Sequence, residues 1–327
     1  MRIMFLCLCL VAGTSVAAQD MPPWRTSMPE EQRLDAIAFE GFDSHITENL
    51  GDVQSVVVVL RGRPVYEYYR DGNPDALRDT QSVTKSALAV LVGTVFQQGK
   101  LTSLDQPVLE LMPEWKPLNA DPRVQDITLR HLLTMTPGFD AEDNGGTATA
   151  WARPLRAEPG QRFSYDNSVP GMVSAILERI TGQPMADLVR EQLVTPLAMR
   201  EPTYVGSLVH LRTVDMAKLG YLLLQDGRWA GRSVLPAGFA AEIVKAQSAG
   251  GPPVGTPYGL FWWVASSNTF FASGYGGQAI WVHAPQGLVV AVTSVVSPQS
   301  QQRPQALGLI RGRIFQAVQK RLSSGEK

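Results

Sequence analysis

Asp79-Thr80-Gln81-Ser82-Val83-Thr84-Lys85-Ser86-Ala87-Leu88-Ala89-Val90-Leu91-Val92-Gly93 sets a serine and a lysine three residues apart where an apolar run begins. If the run is a helix, positions i and i+3 share one face, so Ser82 Oγ and Lys85 Nζ meet near the helix N-terminus. A serine hydroxyl needs a nearby base before it can attack a carbonyl. A lysine serves as that base once burial among apolar neighbours disfavours its charged form. The helix N-terminus adds N–H groups that can hold an oxyanion. The pattern alone is weak. A second copy, Ser324-Gly325-Glu326-Lys327, lies in a polar tail, and Ser82 alone also reads as an exposed serine near a helix start.

Working outward, Val53 to Leu60 and Val65 to Tyr69 read as strands joined by the turn Arg61-Gly62-Arg63-Pro64. The Ser82 helix is expected to end near Gln98-Gly99. Pro29 to Leu50 reads as one helix. From about Leu101 to Ser207 the periods are helical with almost no strand signal, including Ile127 to Met135, Val169 to Thr181 and Pro184 to Leu193, with Ala141 to Gly160 as loop. A helix through Leu219 and Leu223 and a short one from Leu235-Pro236 to about Lys245 follow. Then Gly259 to Ala265, Thr269 to Ser273, Gln278 to His283 and Leu288 to Val292 read as strands, and Pro304 to Leu322 as a closing helix. The fold class is α/β (α+β): an antiparallel sheet made from both ends of the chain, flanked by helices, with an inserted all-helical region. The sheet part is assigned to residues 29–100 and 208–327 and the insertion to 101–207.

The first 18 residues read as a cleaved signal peptide. Arg2 gives the positive start, Met4 to Ala12 an apolar core too short to span a bilayer, and Val16-Ala17-Ala18 a small-residue cleavage site. A secreted or periplasmic location follows, with both cysteines, Cys7 and Cys9, removed and no lipid anchor. Among 327 residues, 44% hydrophobic and 18% charged with a net charge of −1, nothing suggests nucleic acid or an anionic membrane surface. His45, His131, His210 and His283 lack metal-ligand spacing, so no metal is expected. No Gly-x-Ser-x-Gly elbow occurs.

Two more stretches carry chemistry. In Phe163-Ser164-Tyr165-Asp166-Asn167-Ser168, Tyr165 and Asn167 point the same way if the loop is extended. A tyrosine beside a lysine can relay a proton, and an asparagine can bind a substrate carbonyl or the lysine. An Asx-shaped turn is the plain alternative. In Phe270-Phe271-Ala272-Ser273-Gly274-Tyr275-Gly276-Gly277-Gln278, the glycines can let a ligand approach the backbone, or mark a bulged hairpin. The Tyr275 N–H can complete an oxyanion hole with that of Ser82, with Gly274 and Gly276 beside it. Trp151, Trp262, Trp263 and Trp281 are candidates for the cleft wall or for plain packing.

Ser82-x-x-Lys85, Tyr165-x-Asn167 and a glycine-containing third segment, in that order, resemble the penicillin-recognising serine hydrolase superfamily. The flanks Gly99 to Val108, Ile127 to Gly138 and Val214 to Trp229 are similar too. The resemblance implies a β-lactamase/transpeptidase-like fold and an acyl-enzyme on Ser82, with Lys85 and Tyr165 sharing proton transfers. It implies a small-molecule ester or amide substrate and no cofactor; a β-lactamase or D-alanyl-D-alanine carboxypeptidase is the alternative. One departure stands out. Members that bind β-lactams usually carry Lys-Thr-Gly or His-Thr-Gly on the third strand, and here the triad is Ala272-Ser273-Gly274. The form Gly274 to Gln278 looks more like 6-aminohexanoate-oligomer hydrolases and family VIII esterases.

Overall fold

A computed structural model describes residues 24–140, 150–297 and 303–319. The expected leader, both cysteines, residues 141–149 of the expected loop, the end of the expected closing helix and the tail copy of Ser-x-x-Lys lie outside them. The strands are β1 (Val53–Leu60), β2 (Arg63–Tyr69), β3 (Arg78–Asp79), β4 (Thr203–Val205), β5 (Leu208–Leu211), β6 (Arg228–Trp229), β7 (Arg232–Ser233), β8 (Trp263–Ser266), β9 (Thr269–Ser273), β10 (Ala279–His283) and β11 (Leu288–Ser294). The main sheet has the order β2-β1-β11-β10-β9-β8, and each pairing in it is antiparallel. Val56 to Leu60 and Leu288 to Val292 are apolar at every position because β1 and β11 are central and buried on both faces.

The α-helices are α1 (Phe42–Asn49), α2 (Val83–Gln97), α3 (Val108–Leu111), α4 (Leu129–Leu133), α5 (Val169–Thr181), α6 (Met185–Val189), α7 (Thr213–Leu224), α8 (Phe239–Val244), α9 (Arg303–Gly308) and α10 (Phe315–Gln319). Helix α7 lies on one sheet face. Gly220 lets it approach: a Cβ there would stand 2.7 Å from Ile280 and 2.8 Å from Val289. On the other face His283 meets Phe315 edge-on at 5.0 Å. Helix α2 is nearly enclosed. Val83, Leu88, Val90, Leu91, Val92 and Val95 are each at most 7% exposed, which contributes on the order of 10 kcal/mol of apolar burial.

Several bounds differ from the sequence reading. Pro29 to Leu50 is not one helix. A 3-10 turn, Pro29–Gln32, ends at Arg33 in the left-handed region, and α1 starts only after Gly41, also left-handed. The apolar spacing of Leu34, Ile37, Ala38 and Phe42 imitates a helical stripe without one. Near residue 260 the strand starts at Trp263, because Phe261 has φ 54° and its N–H donates to Leu133 O at 2.9 Å. Short strands β3, β4 and β5 form a small second sheet, of which β4 falls within the stretch read as helical.

Candidate active site

The turn before α2 fixes Ser82 from both sides. Gln81 has φ 48°, held as the Asp79 carboxylate accepts its N–H at 2.8 Å. Asp79 belongs to β3, paired with β5. The Thr80 N–H donates to Val209 O at 3.3 Å, and Thr84 Oγ1 accepts from Val209 N–H at 3.2 Å. Ser82 occupies the N-cap position of α2, yet its hydroxyl caps nothing. It is turned instead to Lys85.

Lys85 Nζ lies 3.0 Å from Ser82 Oγ and 3.0 Å from Asn167 Oδ1, and 5.0 Å from the centre of the Tyr165 ring. The side chain is 8% exposed. Burial pushes its pKa from 10.5 down to about 8, against the opposing pull of the Asp166 carboxylate. Its two close polar partners are a hydroxyl and an amide oxygen, neither of them charged. A neutral Nζ at that distance can take the Ser82 proton.

Tyr165 and Asn167 reach this point because the loop between them is anchored behind. Asp166 points inward, 5% exposed, and forms a 2.6 Å ion pair with Arg153, itself 7% exposed. Asp166 also accepts from Ser168 N–H at 2.8 Å and Ser168 Oγ at 2.6 Å. Arg153 donates further to Ala150 O and Asp140 O. With the middle residue tied inward, the flanking Tyr165 and Asn167 face Lys85. The ring of Tyr165 stacks on Trp263 at 5.9 Å and 14°.

The third segment is not a strand through its glycines. Strand β9 stops at Ser273, Tyr275–Gly277 is a 3-10 turn, and β10 starts at Ala279. Gln278 is fully buried and ties this turn to β11: its amide donates to Ser294 O at 2.7 Å and accepts from Ser294 N–H at 2.9 Å. A Cβ on Gly274 would stand 2.7 Å from Thr80 O and 3.0 Å from Gln81 Cβ, so only glycine lets this segment touch the Ser82 turn. Gly276 instead backs onto Val295 O, 2.9 Å from where its Cβ would sit. Ser82 opens α2, where N–H groups lack intrahelical partners, and Tyr275 opens a tight turn broken at Gly276, which has φ 84°. Two such N–H groups on touching segments can hold an oxyanion.

These parts meet in one cleft of about 530 Å³. Its lining includes Ser82, Tyr165, Asn167, Trp263, Ser273 and Tyr275 from the sequence reading. It adds Arg162, Phe163 and the stretch Pro252 to Val254, to which the sequence reading gave no part in the site. Of the four candidate tryptophans only Trp263 lines the cleft. Trp151 and Trp262 are fully buried, and Trp262 Nε1 donates to Ser86 O. His131 serves its own helix, taking the Thr128 N–H on Nδ1 in a capping box. Among the described residues, no group of three His, Cys, Asp or Glu side chains can hold a metal ion, and no helix is long and apolar enough to cross a membrane.

The chain belongs to the beta-lactamase family, which it matches over residues 42–207. It is 30% identical over 210 residues to Esterase EstB of Burkholderia gladioli, 54% of this chain and 52% of that one. It is 25% identical over 241 residues to the D-alanyl-D-alanine-carboxypeptidase/endopeptidase AmpH of Escherichia coli strain K12, 65% of this chain and 59% of that one. The matches thus span little more than half of each relative. The fold also matches that of EstCE1, a hydrolase with promiscuous acyltransferase activity, with a TM-score of 0.68 at 18% identity, covering 89% of this chain and 100% of that one.

Proposed function

We propose that the protein is an exported serine hydrolase that cleaves an ester or an amide through an acyl-enzyme on Ser82. Ser82 Oγ attacks the carbonyl while Lys85 Nζ takes its proton. The N–H groups of Ser82 and Tyr275 hold the tetrahedral oxyanion. The intermediate collapses, and the leaving group departs with a proton delivered through Lys85 and Tyr165. Water then attacks the ester on Ser82, and the acid is released with Ser82 Oγ reprotonated.

The observation that carries this reading is the placement of Lys85: buried, at hydrogen-bond distance from Ser82 Oγ, and held by an amide oxygen in place of a carboxylate. A carboxylate in that place would keep the ammonium charged. The likeness to an esterase favours an ester substrate. The likeness to AmpH keeps a D-alanyl-D-alanine carboxypeptidase as the second reading, and a β-lactamase would share its acylation step.

The test is initial rates of the protein and of Ser82→Ala on a short-chain p-nitrophenyl ester, beside a chromogenic cephalosporin and a D-alanyl-D-alanine peptide. Ester turnover lost in the variant, with little cephalosporin turnover, is the expected result. Ester turnover retained in Ser82→Ala overturns the reading, and faster peptide or cephalosporin turnover selects an alternative.

A further inference from the structure

The cleft has one charged wall. Among its described lining residues Arg162 alone carries a formal charge. It is exposed. Three described acids of the neighbouring stretch are engaged elsewhere: Glu158 with Arg123 at 3.2 Å, Asp166 with Arg153 at 2.6 Å, and Asp140 with Arg156 at 2.7 Å. No ion pair to Arg162 is present among the described residues.

Its backbone is held in place. The Gly160 N–H donates to Thr136 O and the Ser164 N–H to Met135 O, both at 2.8 Å. Phe163 packs edge-on against Tyr258 at 5.2 Å and Trp263 at 5.9 Å. Arg162 is three residues from Tyr165, at most about 10 Å along an extended chain. Between the two along the chain Phe163 and Ser164 line the cleft, with Trp263 beside them. Pro252 to Val254, which follow Gly251 beside Phe163, add apolar lining. A guanidinium with no ion pair among the described residues, in a cleft whose lining includes Phe163, Trp263 and Pro252 to Val254, favours a molecule with an aliphatic middle and an anionic end, because a planar fork of N–H donors fits a carboxylate.

We propose that Arg162 selects substrates bearing a carboxylate a few carbons from the scissile carbonyl, such as half-esters or half-amides of dicarboxylic acids. This rests on the serine-hydrolase reading, but Arg162 acts on substrate choice and not on the bond-breaking step. Its charge stands in for the cation that the triad Ala272-Ser273-Gly274 lacks at Ala272.

The test compares two esters of equal length, mono-p-nitrophenyl adipate and p-nitrophenyl hexanoate, with kcat and KM measured separately and corrected with Ser82→Ala. The expected result is a wild-type preference for the adipate ester that narrows with added salt, because exposed charges are screened. In Arg162→Ala the adipate-to-hexanoate ratio of kcat/KM falls about tenfold, mostly through KM. Arg162→Lys recovers part of it, and Arg162→Glu lowers it further. A ratio that stays within twofold in both Arg162→Ala and Arg162→Glu overturns the proposal, as does a wild-type preference for hexanoate. If neither ester is turned over, the ester reading of the function fails separately. Adipate binding, followed by tryptophan fluorescence in wild type and Arg162→Ala, then decides the role of Arg162: equal affinity overturns it.

Discussion

Changing the pH between 6 and 9.5 titrates the proposed base. Lys85 is held near a pKa of about 8 by burial, against 10.5 for a free lysine. At pH 7 about one molecule in ten then carries the free amine, compared with about one in three thousand for an ordinary lysine. Only the free amine accepts the Ser82 proton. The value of kcat/KM for a p-nitrophenyl ester, corrected for background with Ser82→Ala, is therefore expected to rise about tenfold per pH unit below 8 and to level off above it. Asp166 acts in the opposite sense, since its carboxylate favours the ammonium. Asp166→Asn is expected to move the midpoint lower while weakening the loop that Arg153 anchors. A profile that is flat from pH 6 to 9, or that falls as pH rises through 8, refutes Lys85 as the base.

Further consequences concern stability and geometry. Because the folded pKa of Lys85 lies below the unfolded one, the unfolded chain binds more protons between about pH 8 and 10.5. The burial penalty is full below pH 8, on the order of 3 kcal/mol, and fades as pH rises toward 10.5. Lys85→Met is expected to abolish turnover yet raise the pH 7 melting temperature, with the gain cut to about 1–2 kcal/mol by the two lost hydrogen bonds; a lower melting temperature contradicts this. Arg153→Met leaves the buried Asp166 charge with only its Ser168 donors. It is expected to cost about 3 kcal/mol in urea unfolding and to lower kcat through misplaced Tyr165 and Asn167, whereas a loss under about 1 kcal/mol contradicts the clamp. Gly274→Ala drives a methyl group into the Thr80 carbonyl. The expected outcome is a drop in kcat of about tenfold or more with KM little changed, and unchanged kcat means the Tyr275 turn need not touch the Ser82 turn.

What could be read from sequence alone was what depends on neighbours along the chain. Ser82 and Lys85 meet through the i, i+3 spacing of a single helix, and Val169–Thr181 has the expected bounds because its apolar stripe ends at a left-handed Gly182. The contact between Lys85 and Asn167 spans 82 positions, and no local pattern fixes it. Asp166 was passed over as the variable middle of Tyr-x-Asn. Its signal was a lone acid between two outward-facing residues with Ser168 two positions on, and its partner Arg153 gave none. Gln278 was read as the start of a strand, although a glutamine after four residues containing three glycines is well placed to carry backbone hydrogen bonds that the turn cannot make for itself. The misread helix at Pro29 to Leu50 shows the same limit in reverse. Apolar spacing there reflects packing of successive turns, and the left-handed Gly41 mattered more than the period.

The most direct measurement of the central claim is the site of the covalent intermediate. The protein is mixed with a p-nitrophenyl ester of a hindered acid, quenched in acid during turnover and digested, and the peptide containing Ser82 is weighed by mass spectrometry. The expected result is the mass of one acyl group on Ser82, absent in Ser82→Ala, with loss of turnover in that variant. Turnover that continues in Ser82→Ala, or an acyl group found on another residue, contradicts the assignment of Ser82 as the nucleophile.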